Sequence, residues 1–167
     1  MTDEYDLLTD AFERIRDTVA GAIDGLTPDQ LEFRPGGRAN SIAWLVWHLA
    51  RVQDDHIADA AGTEQIYTSA GWHERLGLPF EADATGYAMS SSDVSKVAGL
   101  TTEQLSGYLE AVHNRTVEYL GTRPDLARVV DAAWDPPVTL AVRLVSVISD
   151  DLQHAGQAGY VRGLLPA

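Results

Sequence analysis

Near the end of the chain an aspartate and a histidine, Asp150 and His154, stand four residues apart. They lie inside a run, Val147-Ile148-Ser149-Asp150-Asp151-Leu152-Gln153-His154-Ala155-Gly156-Gln157, that reads as helix. That spacing is about one helical turn, so the two side chains share a face. Val147 and Val161 carry the same stripe onward, which turns the carboxylate and the imidazole toward a core. A carboxylate buried without a partner is costly. A divalent metal removes that cost, and Asp with His is a common ligand pair. A third ligand must then come from another helix. The best candidate is His48, mid-helix on an apolar stripe of its own.

Alone, Asp-x-x-x-His is a weak signal. By itself it reads first as a surface ion pair or as a core histidine satisfied by a backbone carbonyl. The matching histidine on a second apolar stripe adds weight to the metal reading. Asp151, three residues from His154, competes with Asp150, and the phase with Val147 and Val161 favours Asp150. Three protein ligands matter because catalytic sites keep a position open where closed structural sites have four. Nitrogen and oxygen donors without thiolate suit zinc, nickel, iron, manganese or cobalt.

Other residues are candidates to line a pocket around this centre. His113 lies beside Val112 near the buried face of the third helix, where a core histidine is an equal reading. Tyr87 and His73 sit in an irregular segment that could cover the metal. Asp55, seven residues from His48 and on the same side, is a candidate partner for a ligating histidine. His56 is about 80° round the helix from His48, at the edge of the site or in solvent. Asp54 and Asp55 read most simply as a solvated face, and Arg38 and Arg143 as surface ion pairs or contacts for an anionic substrate.

The elements that must position these groups are helices. Leu7, Leu8, Phe12, Ile15, Val19 and Ile23 recur at helical spacing over Asp3 to Ile23. Thr27-Pro28-Asp29-Gln30 carries a capping box with proline at the first helical position. Asn40 or Ser41 caps a second long helix that ends at Gly62. Thr101 to Leu120 forms the third, and the fourth runs from Val138 or Thr139 to Gly163. The Thr63–Gly99 connection, with a short helix at Val94–Val97, is long for a loop and spans the length of a bundle. The expected fold is therefore all-α: a four-helix bundle in up-down-down-up order, with this crossover between helices two and three and no strand.

The chain of 167 residues is read as one domain over 1–167. Its formal net charge of −13 makes nucleic acid and anionic membrane poor partners. Its start, Met1-Thr2-Asp3-Glu4, is acidic and unlike a signal peptide, so a cytoplasmic protein is expected. There is no cysteine, so any thiol chemistry must use a thiol carried on a small molecule. Trp44 and Trp47 widen the apolar band of the second helix and suggest a homodimer.

Asn40-Ser41-Ile42-Ala43-Trp44-Leu45-Val46-Trp47-His48-Leu49-Ala50 resembles the second helix of the DinB-like bundles, and Asp150-Asp151-Leu152-Gln153-His154-Ala155-Gly156-Gln157 resembles their fourth. The resemblance covers nearly the whole chain. It implies a metal-dependent enzyme of the superfamily that holds thiol-dependent S-transferases and the metal-binding domain of mycothiol-dependent maleylpyruvate isomerase. The family's ligands fall on His48, Asp150 and His154. Many members have histidine where this chain has Asp150, and the isomerase branch has glutamate. The implied cofactor is a divalent metal, zinc or nickel first, with mycothiol as co-substrate. The implied reaction is S-transfer or isomerisation of a small electrophile held under the Thr63–Gly99 segment. A metal-dependent hydrolase and a non-catalytic ligand-binding bundle are the alternatives. Lys96 as the sole lysine, with high Ala, Gly, Val, Arg and Asp usage, fits a high-GC genome and favours mycothiol over bacillithiol.

Overall fold

The structure, a computed structural model, describes residues 3–166. In chain order its helices are α1 (Glu4–Ile23), α2 (Pro28–Leu31), α3 (Ile42–Ala61), α4 (Ile66–Ser69), α5 (Trp72–Leu76), α6 (Ser91–Val94), α7 (Thr102–Gly121) and α8 (Leu140–Arg162). A small antiparallel pair, β1 (Val129–Asp131) with β2 (Val138–Thr139), precedes α8. The protein is thus mostly helical. The two short strands correct the expectation of none. They are stitched across a proline-bearing loop too brief to show the alternating pattern of a strand.

The helix starts follow from local chemistry. Asp3, Thr27 and Thr101 each close a capping box with the side chain three residues on, and Ser41 and Thr139 accept from the N–H three residues ahead. Each satisfies backbone donors that a helix start leaves without partners. α3 stops at Gly62, which takes the left-handed conformation at φ 66°.

α1 and α3 each pack against both α7 and α8. Gln53 donates to Thr116, and Tyr119 donates to the Ala60 carbonyl, so α3 and α7 run alongside in the same sense. Arg143 at the start of α8 meets Asp59 near the end of α3, so that pair runs in opposite senses. Arg162 reaches the Ala22 and Asp24 carbonyls at the end of α1.

α3 differs from a one-striped helix. Every residue from Ile42 to Arg51 is buried. The reason is the crossover, which wraps the side of α3 that α7 and α8 leave open. Tyr67, Trp72, Leu76 and Leu78 from the crossover join the core, and Phe80 stacks on Trp47. The short helix expected at Val94–Val97 begins earlier, because Ser90 caps it and Val94 ends it. Trp44 and Trp47 are both buried within the chain, so neither offers an unpartnered surface for a second copy.

Candidate metal centre

α3 supplies His48, and α8 supplies Asp150 and His154. One ligand atom from each lies within 4.8 Å of the others. The His154 Nε2 stands 3.7 Å from the Asp150 Oδ1. Asp150 Oδ2 is buried and has no hydrogen-bond partner. The phase of α8 differs by one residue from the one that Val147 and Val161 suggest for Asp150. The buried stripe of α8 is Leu140, Leu144, Val147, Asp151, Ala155, Ala158 and Val161. Asp150 and His154 each sit one residue before a member of that stripe, on its flank beside α3. Asp150 is therefore partly exposed at 39%, and it is Asp151 that enters the core.

Both histidines are oriented by carbonyl oxygens. His48 Nδ1 donates to the Thr85 carbonyl at 2.6 Å, and His154 Nδ1 donates to Gln157 Oε1 at 2.9 Å. A backbone carbonyl can only accept, so His48 Nδ1 carries the hydrogen and its Nε2 keeps its lone pair; the Gln157 amide, with its oxygen turned to His154, pairs with that ring in the same sense. Trp44 stacks on the His48 ring with centroids 4.5 Å apart. Burial pushes the His48 imidazole below its ordinary value, reinforced by His154 and opposed by the Thr85 carbonyl and Asp150. A neutral imidazole is the form that binds a metal.

These residues fit a divalent cation. Two bare imidazole nitrogens and a carboxylate converge, one carboxylate oxygen lies buried without a partner, and thiolate is absent.

A cleft of about 190 Å³ opens beside the cluster, lined by His48, Val52, His56, Tyr87, Ser146, Val147 and Asp150. Tyr87 is thus at the cleft, though its side chain is largely in solvent at 87%. His56 also lines it. Arg143 donates to His56 Nδ1 at 3.0 Å, which leaves the hydrogen on His56 Nε2. Burial, and secondly Arg143, push the His56 pKa down. Arg143 is held by Asp59 and Asp131, each at 3.6 Å.

The other candidates have partners of their own. His113 faces α1, where its Nε2 meets Arg16 at 3.3 Å, so it belongs to the α1–α7 contact and not to this cleft. Asp55 lines the adjoining cavity with Val52, His56, Thr85 and Tyr87, but it accepts from Gln65 Nε2 at 2.7 Å and touches His56, so it is not the partner of His48. His73 bonds the Phe80 carbonyl within the crossover. Asp54 is no solvated residue. It is 3% exposed and accepts from the Ile66 and Tyr67 amides and the Tyr108 hydroxyl.

Sequence reasoning missed Arg51, Thr85, Gly86 and Gln157. Arg51 had a signal, a charge set in the apolar run Leu49-Ala50-Arg51-Val52. Thr85 acts through its carbonyl, which leaves no mark on residue type.

Among the described residues no helix is long and apolar enough to cross a membrane. No curated protein matches the chain. A solved structure, described as the crystal structure of the conserved protein of locus from Enterococcus faecalis, matches with a TM-score of 0.91 and 30% identity over 98% of each chain. The model of the mycothiol S-transferase family matches residues 7–167. The chain belongs to that family, a member of the DinB-like superfamily.

Proposed function

We propose that this protein transfers a low-molecular-weight thiol, mycothiol or a close analogue, onto a small electrophile at a divalent metal held by His48, Asp150 and His154. The observation that carries the reading is the convergence of two imidazole Nε2 atoms on a carboxylate with one unpartnered buried oxygen. The family match supplies the thiol. Zinc or nickel suits this donor set.

When bound, the metal lowers the pKa of a coordinated thiol, so that sulfur reacts as thiolate near neutral pH. The chain's own residues do the rest. Thr85 and Gln157 hold the two imidazoles with Nε2 presented. Val52 and Val147 give the cleft an apolar floor for the electrophile. His56, donating from Nε2, and Ser146 supply hydrogen bonds to its polar group. In the transfer, a sulfur–carbon bond forms, the leaving group departs with its electron pair, and the thiol proton passes to solvent through the open cleft.

The same reading takes residues 1–167 as one DinB-like domain, a four-helix bundle of α1, α3, α7 and α8 in up-down-down-up order. It is supported by the parallel α3–α7 pair and the antiparallel α3–α8 pair. The test is turnover of a chromogenic aryl halide by zinc- or nickel-loaded protein with and without mycothiol. Thiol-dependent product formation, absent from metal-free protein, is the expected result. Turnover without thiol would replace the reading with hydrolysis.

A further inference from the structure

We propose that Arg51 is a positioning residue for this centre: it pins the Ala82–Gly86 turn of the crossover, and that turn fixes the His48 ring with Nε2 toward Asp150 and His154. The inference rests on the metal-centre reading above.

Arg51 is fully buried, three residues beyond His48 on α3. Its Nε donates to the Ala84 carbonyl and its Nη2 to the Ala82 carbonyl, both at 3.0 Å. Its Nη1 donates to Gln65 Oε1 at 2.8 Å and to the Tyr108 hydroxyl at 3.3 Å. Asp54 at 3.5 Å and the Tyr67 ring at 4.0 Å hold the guanidinium itself. One planar fork therefore holds two carbonyls of the turn. Lysine, a single point charge, cannot reproduce that grip.

The next two residues of the turn touch His48. Thr85 accepts from His48 Nδ1. Gly86 is buried at φ +96°, and a Cβ built on it would lie 2.7 Å from His48 Nδ1 and 3.1 Å from Trp47 Cζ3. No larger residue fits there, and the positive φ also favours glycine. The ring is thus held by a carbonyl at one nitrogen, by backbone behind it and by Trp44 across its face. Arg51 anchors the first two to the same helix that carries the ring. Carbonyl partners of metal-bound histidines commonly set tautomer and affinity; here the carbonyl is itself set by a buried cation.

The test uses the full chain without metal. Long-range proton–nitrogen NMR reads which ring nitrogen of His48 bears hydrogen, with His48→Gln for assignment, and calorimetry with zinc alone reads affinity. Wild type should show hydrogen on Nδ1. Gly86→Ala and Arg51→Lys should shift His48 toward the other tautomer and weaken zinc by about ten- to a hundredfold. Tyr108→Phe, which loosens the same network without touching the turn, should leave the tautomer unchanged. If Arg51→Lys does not fold, Gly86→Ala decides. Hydrogen on Nε2 in wild type overturns the proposal, as does an unchanged tautomer with zinc affinity within twofold in the folded variants. A tautomer that shifts as expected in protein that binds no zinc upholds the positioning and defeats the metal reading instead.

Discussion

Two polar clusters meet α3 within two turns of each other, the second completed by α8, and they are finished differently. At Arg51, Gln53 and Asp54 each buried side chain has partners: carbonyls, amides, Thr116 and Tyr108. At His48, Asp150 and His154 the donors turn outward to Thr85 and Gln157, while lone pairs converge and Asp150 Oδ2 is left unpartnered. Buried polar groups that satisfy one another hold a fold. Groups that converge with their lone pairs unmet are arranged for something else. The first cluster fastens the crossover to the body, and the second faces a cleft.

The contrast is broken most forcefully at Arg51. Arg51→Met leaves Asp54 buried without its cation and should cost about 3–5 kcal/mol, read as a lower midpoint in urea unfolding. His154→Ala should do the reverse. It should cut zinc affinity by a hundredfold or more, about 3 kcal/mol, while leaving the urea midpoint of metal-free protein nearly unmoved. Equal stability losses for the two variants would erase the distinction. Tyr108→Phe removes one hydroxyl from the closed network and should cost about 1–2 kcal/mol, with zinc affinity unchanged.

A smaller effect comes from the α1–α7 contact. Burial, and then Arg16, hold the His113 pKa below its ordinary 6.5. A depressed folded pKa means that this contribution is whole above 6.5 and is lost as pH falls through the folded value. Stability should therefore decline below pH 6.5 by at most about 1.4 kcal/mol per pH unit for this one group. His113→Gln should flatten that decline in thermal melts between pH 7 and 5.

Much of this was legible in the sequence, for a local reason. The caps at Thr27 and Ser41 act within one turn, so residue type and spacing reveal them, and Asp3, Thr101 and Thr139 were legible as helix starts, their capping bonds shown by the structure. The three clustered side chains were legible too, because the i, i+4 spacing of Asp150 and His154 survives any rotation of α8. Which face α8 buries was not. A one-residue error in phase is invisible when Asp150 and Asp151 are both aspartate. The crossover was the least legible part. Its short helices depend on contacts distant in sequence: Asp54 accepts the amides that start α4, and Arg51 holds Ala82 and Ala84. His113 looked like a pocket residue because Val112 and His113 are both buried, and only the packing partner, α1, tells that face from the cleft.

The most direct measurement is calorimetric titration of zinc into metal-free wild-type protein beside His154→Ala. One equivalent bound by wild type and lost in the variant is the predicted result. No binding by wild type, or equal binding by both, would contradict the claim that the unmet cluster is a metal centre.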